Sequence, residues 1–249
     1  MATVNEKMTA IADAIREKTG KTDALTLDGM AEAIPNVYDA GKKSQYDEFW
    51  DAYQDNGNRT DYQYAFARWR MGAFKPKYDI KPSNASVTMM FAYSQLTNIA
   101  QRLEDMGVVL DTSGATSFND FASYGSITRL PEISTIGASS LNGIFYNCPA
   151  LGTIDKLIFK SDGSQTWVTT AFQGLPSLVN IVVEGKIGAN LSLLNSSKLS
   201  YESLMSIMNT LKDYKDTGET RTLTLHATAK AKLSDGDIAI ATQKGWTIS

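Results

Sequence analysis

Apolar residues near the start of the chain recur at the spacing of one face of an α-helix. The intervals between them are four, three and four residues, which brings successive side chains to the same side of a helix. These residues are Val4, Met8, Ile11 and Ile15. Thr3 and Glu6 form a T-x-x-E capping box before them, and Gly20 follows them as a stop signal. The pattern predicts a first amphipathic helix.

A second apolar pattern, over residues 26–34, predicts another short helix that ends at Pro35. Met30 and Ile34 lie on its apolar side. Two short amphipathic helices cannot bury both apolar faces within about 35 residues. We therefore expect residues 1–40 to form a helical attachment or oligomerisation segment. Its partner is either the rest of this chain or another copy of it.

Aromatic residues are concentrated after this segment, with ten of the chain's 24 between residues 46 and 78. An aromatic stripe predicts a third helix over residues 42–55, with Asn56-Gly57 as its stop. Such density suits a carbohydrate-binding surface, because sugar faces pack on flat rings. The alternative, which we favour, is the core of a small helical capping module over residues 41–85. The aromatic residues that are candidates for ligand contact are Tyr62, Tyr64, Trp69 and Trp167.

A pattern anchored on phenylalanine repeats from residue 91 onward. The aligned segments FAYSQLTNI, FASYGSITRL, FYNCPALGTI and FQGLPSLVNI begin at Phe91, Phe121, Phe145 and Phe172. Apolar residues follow the phenylalanine at +6 and +9 in the last three copies, and at +5 and +8 in the first. Successive phenylalanines are 30, 24 and 27 residues apart, and repeats of this length predict a solenoid over residues 86–198. The stretches after +9, such as residues 154–159 and 181–183, should stack as a sheet.

The end of the chain departs from the repeat. Its apolar spacing predicts a helix over residues 199–211, a strand over 222–225, a helix over 232–244 and a last strand at Trp246 and Ile248. The open end of a repeat array exposes apolar surface and unpaired backbone groups. We therefore expect residues 199–249 to form an α/β cap.

Composition and charge narrow the class of protein. The chain is 43% hydrophobic, as folded proteins are, and its net charge of −3 provides no basic field for nucleic acid. No run of about 18 apolar residues occurs, so no membrane insertion is expected. The first residues carry charges of both signs and no apolar core of a signal peptide. The sequence thus predicts synthesis in the cytoplasm without secretion by a signal peptide.

Residue types that carry catalysis or bind cofactors are scarce. A single cysteine, Cys148, excludes an intramolecular disulfide and a thiolate metal cage, and His226 is the only histidine. The triplet Gly20-Lys21-Thr22 resembles the end of a phosphate-binding loop, but Ile15 stands where the first glycine of that loop would be. We expect no enzyme, no cofactor and no metal. A pair of carboxylates brought together from distant segments, as in a glycosidase, stays open.

The repeat resembles that of the BspA-like leucine-rich-repeat family. The run FWDAYQDNGNRTDYQYAF, with FKPKYDIKPSNA after it, is similar to the segment that precedes such repeats in prophage-encoded members. The ending, from KLSYESLMSIMNTLKDY to GWTIS, resembles their terminal cap. The opening IADAIREKTGKTDALTLDGMAEAI is similar to a module at the start of many phage tail and minor structural proteins. Family repeats often carry a cysteine in each corner, whereas here only the copy at Phe145 does.

The resemblance implies a fold and a role. The fold expected is α+β, a short irregular leucine-rich-repeat solenoid with an N-terminal helical anchor and a C-terminal α/β cap. The role implied is a structural protein on the surface of a bacteriophage virion, in the tail, baseplate or receptor-binding apparatus, that presents the repeats to the host. Expected partners are other virion proteins, further copies of the chain such as a trimer, and a host cell-surface glycan or protein. The alternatives are a capsid decoration protein and, in another class, a polysaccharide-cleaving enzyme.

Overall fold

The structure is a computed structural model that describes residue 9 and residues 12–17, 49–167 and 169–249. The chain divides into two compact units, Met1–Asn56 and Gly57–Ser249. In the first unit, residues 12–17 are helical and Ile15 is buried, as the apolar spacing predicts for this part of the first helix. The other residues assigned to attachment lie outside the described residues: Val4, Met8, Ile11, Met30 and Ile34.

The aromatic stripe before Asn56 is helical over residues 49–53, which confirms the end of the predicted third helix. The rings of Phe49 and Tyr53 stack at 5.4 Å, and Trp50 is buried. Asp55 and Asn56 follow with φ values of 48° and 50°, the left-handed conformation that Asp and Asn tolerate better than most residues, so the α-helix does not continue.

The second unit contains short strands and helices in alternation. In chain order they are β1 (Ser83–Ser86), α1 (Ile99–Met106), β2 (Gly114–Ser117), β3 (Arg129–Ser134), β4 (Thr153–Ile158), β5 (Asn180–Glu184), β6 (Leu191–Leu193), α2 (Tyr201–Thr210), β7 (Arg221–Leu225), α3 (Ala227–Lys230), α4 (Asp235–Thr242) and β8 (Trp246–Ile248). Single-turn 3-10 helices lie at Asp55–Gly57, Met71–Ala73 and Thr169–Phe172.

All strand pairs among the described residues are parallel, and they form three separate sheets: β1-β2, β3-β4-β5 and β6-β7-β8. The register aligns Leu130 with Ile154 and Ile154 with Ile181. These three side chains are buried and mark the +9 position of successive repeats. The predicted stacking of the stretches after +9 as a sheet is therefore confirmed.

The predicted fold class, an α+β leucine-rich-repeat solenoid between two caps, is wrong. The described residues form an α/β structure with eight short strands in three small parallel sheets. Helix α1 connects β1 to β2 and α2 connects β6 to β7, so helices serve as crossovers between parallel strands and are not confined to the ends. The repeat pattern identified strands, but it carried no information about where one sheet stops and another begins.

The sheet β3-β4-β5 stops because helix α2 occupies its outer edge. The Ser203 hydroxyl accepts the backbone N–H of Ile181 at 2.9 Å and donates to the carbonyl of Val179 at 3.1 Å. The Ser206 hydroxyl accepts the N–H of Val183 at 2.8 Å. Two serine side chains thus take the hydrogen bonds that a further strand would have made.

We expect Ser203→Ala to lower the free energy of unfolding by about 1–3 kcal/mol, because it leaves the buried N–H of Ile181 without its partner. Urea unfolding of both proteins would measure the difference. Ser161→Ala, at an exposed serine in a turn, is the matched control and should change stability by less than about 0.5 kcal/mol. Equal effects of the two substitutions would show that the hydroxyl is not needed at the sheet edge.

Candidate ligand-binding groove

Five tight turns stack on one another along one side of the second unit, and we call this stack the turn ladder. Its turns are residues 64–68, 89–93, 120–124, 143–147 and 170–174. Each turn donates backbone hydrogen bonds to the next, for example from Phe66 N–H to Met90 O at 2.8 Å and from Ala122 N–H to Ile144 O at 3.0 Å. Because neighbouring turns are joined as neighbouring strands are, they lie about 4.8 Å apart.

The ladder uses left-handed backbone at fixed places. The first and last residues of each of the first four turns have positive φ: Tyr64, Arg68, Met89, Tyr93, Asp120, Tyr124, Gly143 and Asn147. Most of these are not glycine, and a left-handed non-glycine residue is strained by roughly 1–2 kcal/mol. The backbone hydrogen bonds to the neighbouring turns hold this strain in place.

The hydrogen bonds also correct the alignment of the repeats. Phe91 and Phe145 share the third position of their turns with Ala122, whereas Phe121 lies one position earlier and packs edge-on against Phe91 at 5.4 Å. Counted from Ala122, the next apolar residues fall at +5 and +8, as they do after Phe91. The copies that begin at Phe91 and Phe121 therefore share one spacing. The copies at Phe145 and Phe172, which contain Pro149 and Pro176, have one residue more.

A row of tyrosines runs along the outside of the ladder. Tyr93 and Tyr124, the last residues of two successive turns, stack at 5.0 Å with their planes 4° apart. Tyr146 continues the row at 5.3 Å from Tyr124, turned by 88°. The Arg68 guanidinium lies 5.8 Å from the centre of the Tyr93 ring at the other end. Tyr93 and Tyr124 remain 47% and 42% exposed, so the row is a surface and not part of the core.

A groove of about 530 Å³ follows this tyrosine row. Its other lining residues come from four successive turns and their flanks: Met89, Asp120, Ser123, Asn142, Gly143 and Thr170. The groove therefore combines aromatic rings with a carboxylate, an amide and hydroxyls. Burial, the hydrogen bond with Tyr146 and the neighbouring charges raise the pKa of Tyr124, which keeps its hydroxyl protonated as a hydrogen-bond donor.

Asp120 is the charged group of the groove lining. Burial raises the pKa of its carboxyl, and a hydrogen bond from Ser123 partly opposes this effect. Within the described residues no lysine or arginine forms an ion pair with it. Gly143 makes room for the carboxylate, because a Cβ at this position would lie 2.2 Å from Asp120 Oδ1. Gly143 also has a φ of 66°, so both the lack of space and the backbone conformation favour glycine at this position.

We expect Asp120→Asn to stabilise the protein more at neutral pH than in acid. A folded-state pKa above the unfolded value means that ionisation of Asp120 opposes folding. Below the ordinary pKa of 3.8, Asp120 is protonated in both the folded and the unfolded protein, so the stabilities of wild type and variant differ least there. As the pH rises through the raised pKa of the folded protein, ionisation of Asp120 lowers the stability of the wild type and leaves that of the variant unchanged. Urea unfolding at about pH 3 and about pH 7 would measure the difference. If the variant exceeds the wild type in free energy of unfolding by the same amount at both pH values, or by more in acid, the prediction is contradicted.

The four aromatic residues predicted to contact a ligand lie in different environments. Tyr62 is buried, while Tyr64 is 54% exposed at the start of the first turn of the ladder. Trp69 is half-buried, with its ring edge-on to Phe66 at 5.5 Å. Trp167 lies in a separate pocket, where its indole N–H donates to the carbonyl of Asn190 at 2.7 Å. None of the four lines the groove.

The tyrosines that do line the groove were missed by sequence reasoning, although the sequence contains a signal. Tyr93, Tyr124 and Tyr146 stand one to three residues after a repeat phenylalanine, in FAY, FASY and FY. The phenylalanines mark the core positions of the repeat, and the exposed tyrosines beside them fall outside that apolar pattern. A tyrosine that recurs beside a buried position, at an exposed position of its own, is the pattern that would have found the row.

The remaining candidate chemistry has structural explanations. His226 is the N-cap of α3, where its Nδ1 accepts the N–H of Thr228 at 3.1 Å. Cys148 is buried beneath the ladder, and burial raises the pKa of its thiol to about 12. Over the described residues, no cluster of three or more histidine, cysteine or acidic side chains is arranged to hold a metal ion. No described helix is long and apolar enough to cross a membrane.

Comparisons with protein-family models, curated proteins and solved structures found no match to this chain.

Proposed function

We propose that the protein is a component of a bacteriophage virion surface, in the tail or baseplate, that binds a glycan of the host cell surface in the tyrosine groove. The virion assignment rests on the resemblance of the two ends of the chain to phage structural proteins. The glycan assignment rests on the groove. Tyr93, Tyr124 and Tyr146 provide aromatic surface, and Asp120 and Asn142 provide hydrogen-bonding groups in the same groove.

This combination suits sugars better than other ligands. A sugar presents apolar C–H faces together with many hydroxyls, so it needs ring surface and polar groups in the same site. The groove is open to solvent, which favours weak binding by a single site. Many copies on one particle would convert weak sites into firm attachment through avidity.

The number of carboxylates in the groove favours binding of a glycan over its cleavage. Hydrolysis of a glycosidic bond ordinarily uses two carboxyl groups on either side of the bond. Among the described residues that line the groove, Asp120 is the one carboxylate. Incubation of the protein with host envelope polysaccharide should accordingly produce no new reducing ends, and their appearance would favour the enzyme.

We expect Tyr124→Ala to weaken binding to immobilised host envelope polysaccharide at least about tenfold, a loss of about 1.4 kcal/mol. Tyr124 contacts both other tyrosines of the row, so its removal interrupts the aromatic surface at its centre. Tyr201→Ala is the matched control, because Tyr201 is exposed to nearly the same extent, 44% against 42%, but lies on α2 away from the ladder. Circular dichroism of each variant would establish that it is folded.

Two results would contradict the proposal. If Tyr124→Ala binds the polysaccharide as tightly as the wild type, the groove is not the binding site. If mass spectrometry of purified phage particles fails to detect the chain, the virion assignment is wrong, whatever the groove binds.

A further inference from the structure

The groove has a direction, which follows from the turns that line it. Met89 and Tyr93 belong to one turn, Asp120 and Tyr124 to the next, and Gly143 and Tyr146 to a third; Thr170 begins a fourth. With neighbouring turns about 4.8 Å apart, the lining spans about 14 Å along the ladder. A single sugar would contact one or two turns, whereas a chain of three or four would contact them all.

The backbone of the lining repeats along this direction, although its side chains differ. Each turn contributes the residue at its first position, in order Met89, Asp120, Gly143 and Thr170, and the first three of these turns also contribute a tyrosine. A ligand with a repeating backbone matches a repeating surface, because equivalent groups of successive units meet equivalent positions of successive turns. The spacing of the turns is close to the length that one sugar residue adds to an extended glycan.

The charge of the groove also restricts which ligands can bind there. Asp120 lines the groove without an ion-pair partner among the described residues, and the nearest cation described along the row is the Arg68 guanidinium over the Tyr93 ring. A polymer with a carboxylate or phosphate on each unit would bring negative charge beside Asp120 and be repelled. A neutral polymer would meet hydrogen-bonding groups and no opposing charge.

We infer that the groove binds a neutral, linear polysaccharide that lies along the turn ladder, with successive sugar units on successive turns. This inference rests on the proposed function and specifies its ligand. It assigns Met89 and Thr170 to the two ends of the bound chain and Asp120 and Tyr124 to its middle.

The test uses size-graded oligosaccharides, from monosaccharide to hexasaccharide, prepared from the neutral and the acidic polysaccharide fractions of one host envelope. Isothermal titration calorimetry would measure their affinity for the full-length protein. For the neutral series we expect affinity to rise by at least about tenfold from monosaccharide to tetrasaccharide and then level off. For the acidic series of the same lengths we expect weaker binding at every length.

Variants at the ends of the groove sharpen the test. Met89→Ala and Thr170→Ala should each weaken binding of the tetrasaccharide while leaving the disaccharide nearly unchanged, and Tyr201→Ala should alter neither. Two end variants are used so that one remains informative if the other fails to fold.

The possible failures are distinguishable. A neutral monosaccharide that binds as tightly as the tetrasaccharide would overturn the extended ligand but leave glycan binding in place. An acidic series that binds more tightly would overturn the neutral ligand. Absence of binding by both series would overturn this inference and the proposed glycan function with it.

Discussion

Gly185→Ala should destabilise the protein by more than about 3 kcal/mol, enough to remove much of the stability of an ordinary domain. Gly185 follows β5 directly and has a φ of 81°, where a side chain is strained. A Cβ there would lie 2.1 Å from the carbonyl oxygen of Phe159 and 2.7 Å from its carbonyl carbon, both backbone atoms. The chain after β4 and the chain after β5 would have to separate, which also strains the hydrogen bond from Phe159 N–H to Glu184 O.

The control for this prediction is a second glycine-to-alanine substitution, which we expect to stabilise the protein. Gly236 lies in the first turn of α4, and a Cβ there would meet only the Ser234 hydroxyl, at 3.6 Å. Gly236→Ala should stabilise the protein by up to about 1 kcal/mol, since alanine is the better helix former. Urea unfolding of the three proteins measures both effects. A loss of less than about 1 kcal/mol for Gly185→Ala would mean that the two chain segments are not held as close as described.

Short-range signals in the sequence predicted the elements near the end of the chain well. The helix expected over residues 199–211 is α2, Tyr201–Thr210, and its N-cap Ser200 accepts the N–H of Ser203. The strand expected over 222–225 is β7, Arg221–Leu225. Helix α4 begins later than expected, at Asp235, because Ser234 and Asp237 form a capping box there. Caps and apolar spacing act within one element, so one sequence is enough to recognise them.

The division into sheets and the groove depend on contacts that such signals do not encode. The outer edge of β5 is taken by Ser203 and Ser206, which are ordinary helix residues until their partners are known. The tyrosine row depends on contacts between residues far apart in sequence, 31 residues for Tyr93 and Tyr124 and 22 for Tyr124 and Tyr146. An alignment that places Phe121 opposite Phe91 puts the turn 120–124 one residue out of register, so Tyr124 no longer falls opposite Tyr93.

Phe91→Ala should lower the free energy of unfolding by about 3–5 kcal/mol, the range for removing a large buried aromatic side chain. Phe91 is fully buried, stacks on Phe66 at 5.4 Å and lies edge-on to Phe121 at the same distance. Its side chain therefore packs against side chains from the turn before it and the turn after it in the ladder. Phe91→Leu, which keeps most of the volume, should cost less than about 1.5 kcal/mol and serves as the control.

The same two variants, Phe91→Ala and Phe91→Leu, also test whether packing in the core of the ladder maintains the shape of the groove on its surface. Phe91 lies in the middle of the turn that carries Met89 and Tyr93, so a cavity beneath it lets that turn shift and moves Tyr93 away from Tyr124. Under conditions where Phe91→Ala is still folded, its binding to envelope polysaccharide should therefore fall as well, whereas Phe91→Leu should bind nearly as wild type does. Full binding by a destabilised but folded Phe91→Ala would show that the groove keeps its shape without the aromatic core, held by the backbone hydrogen bonds between turns and the stacking of Tyr93 on Tyr124.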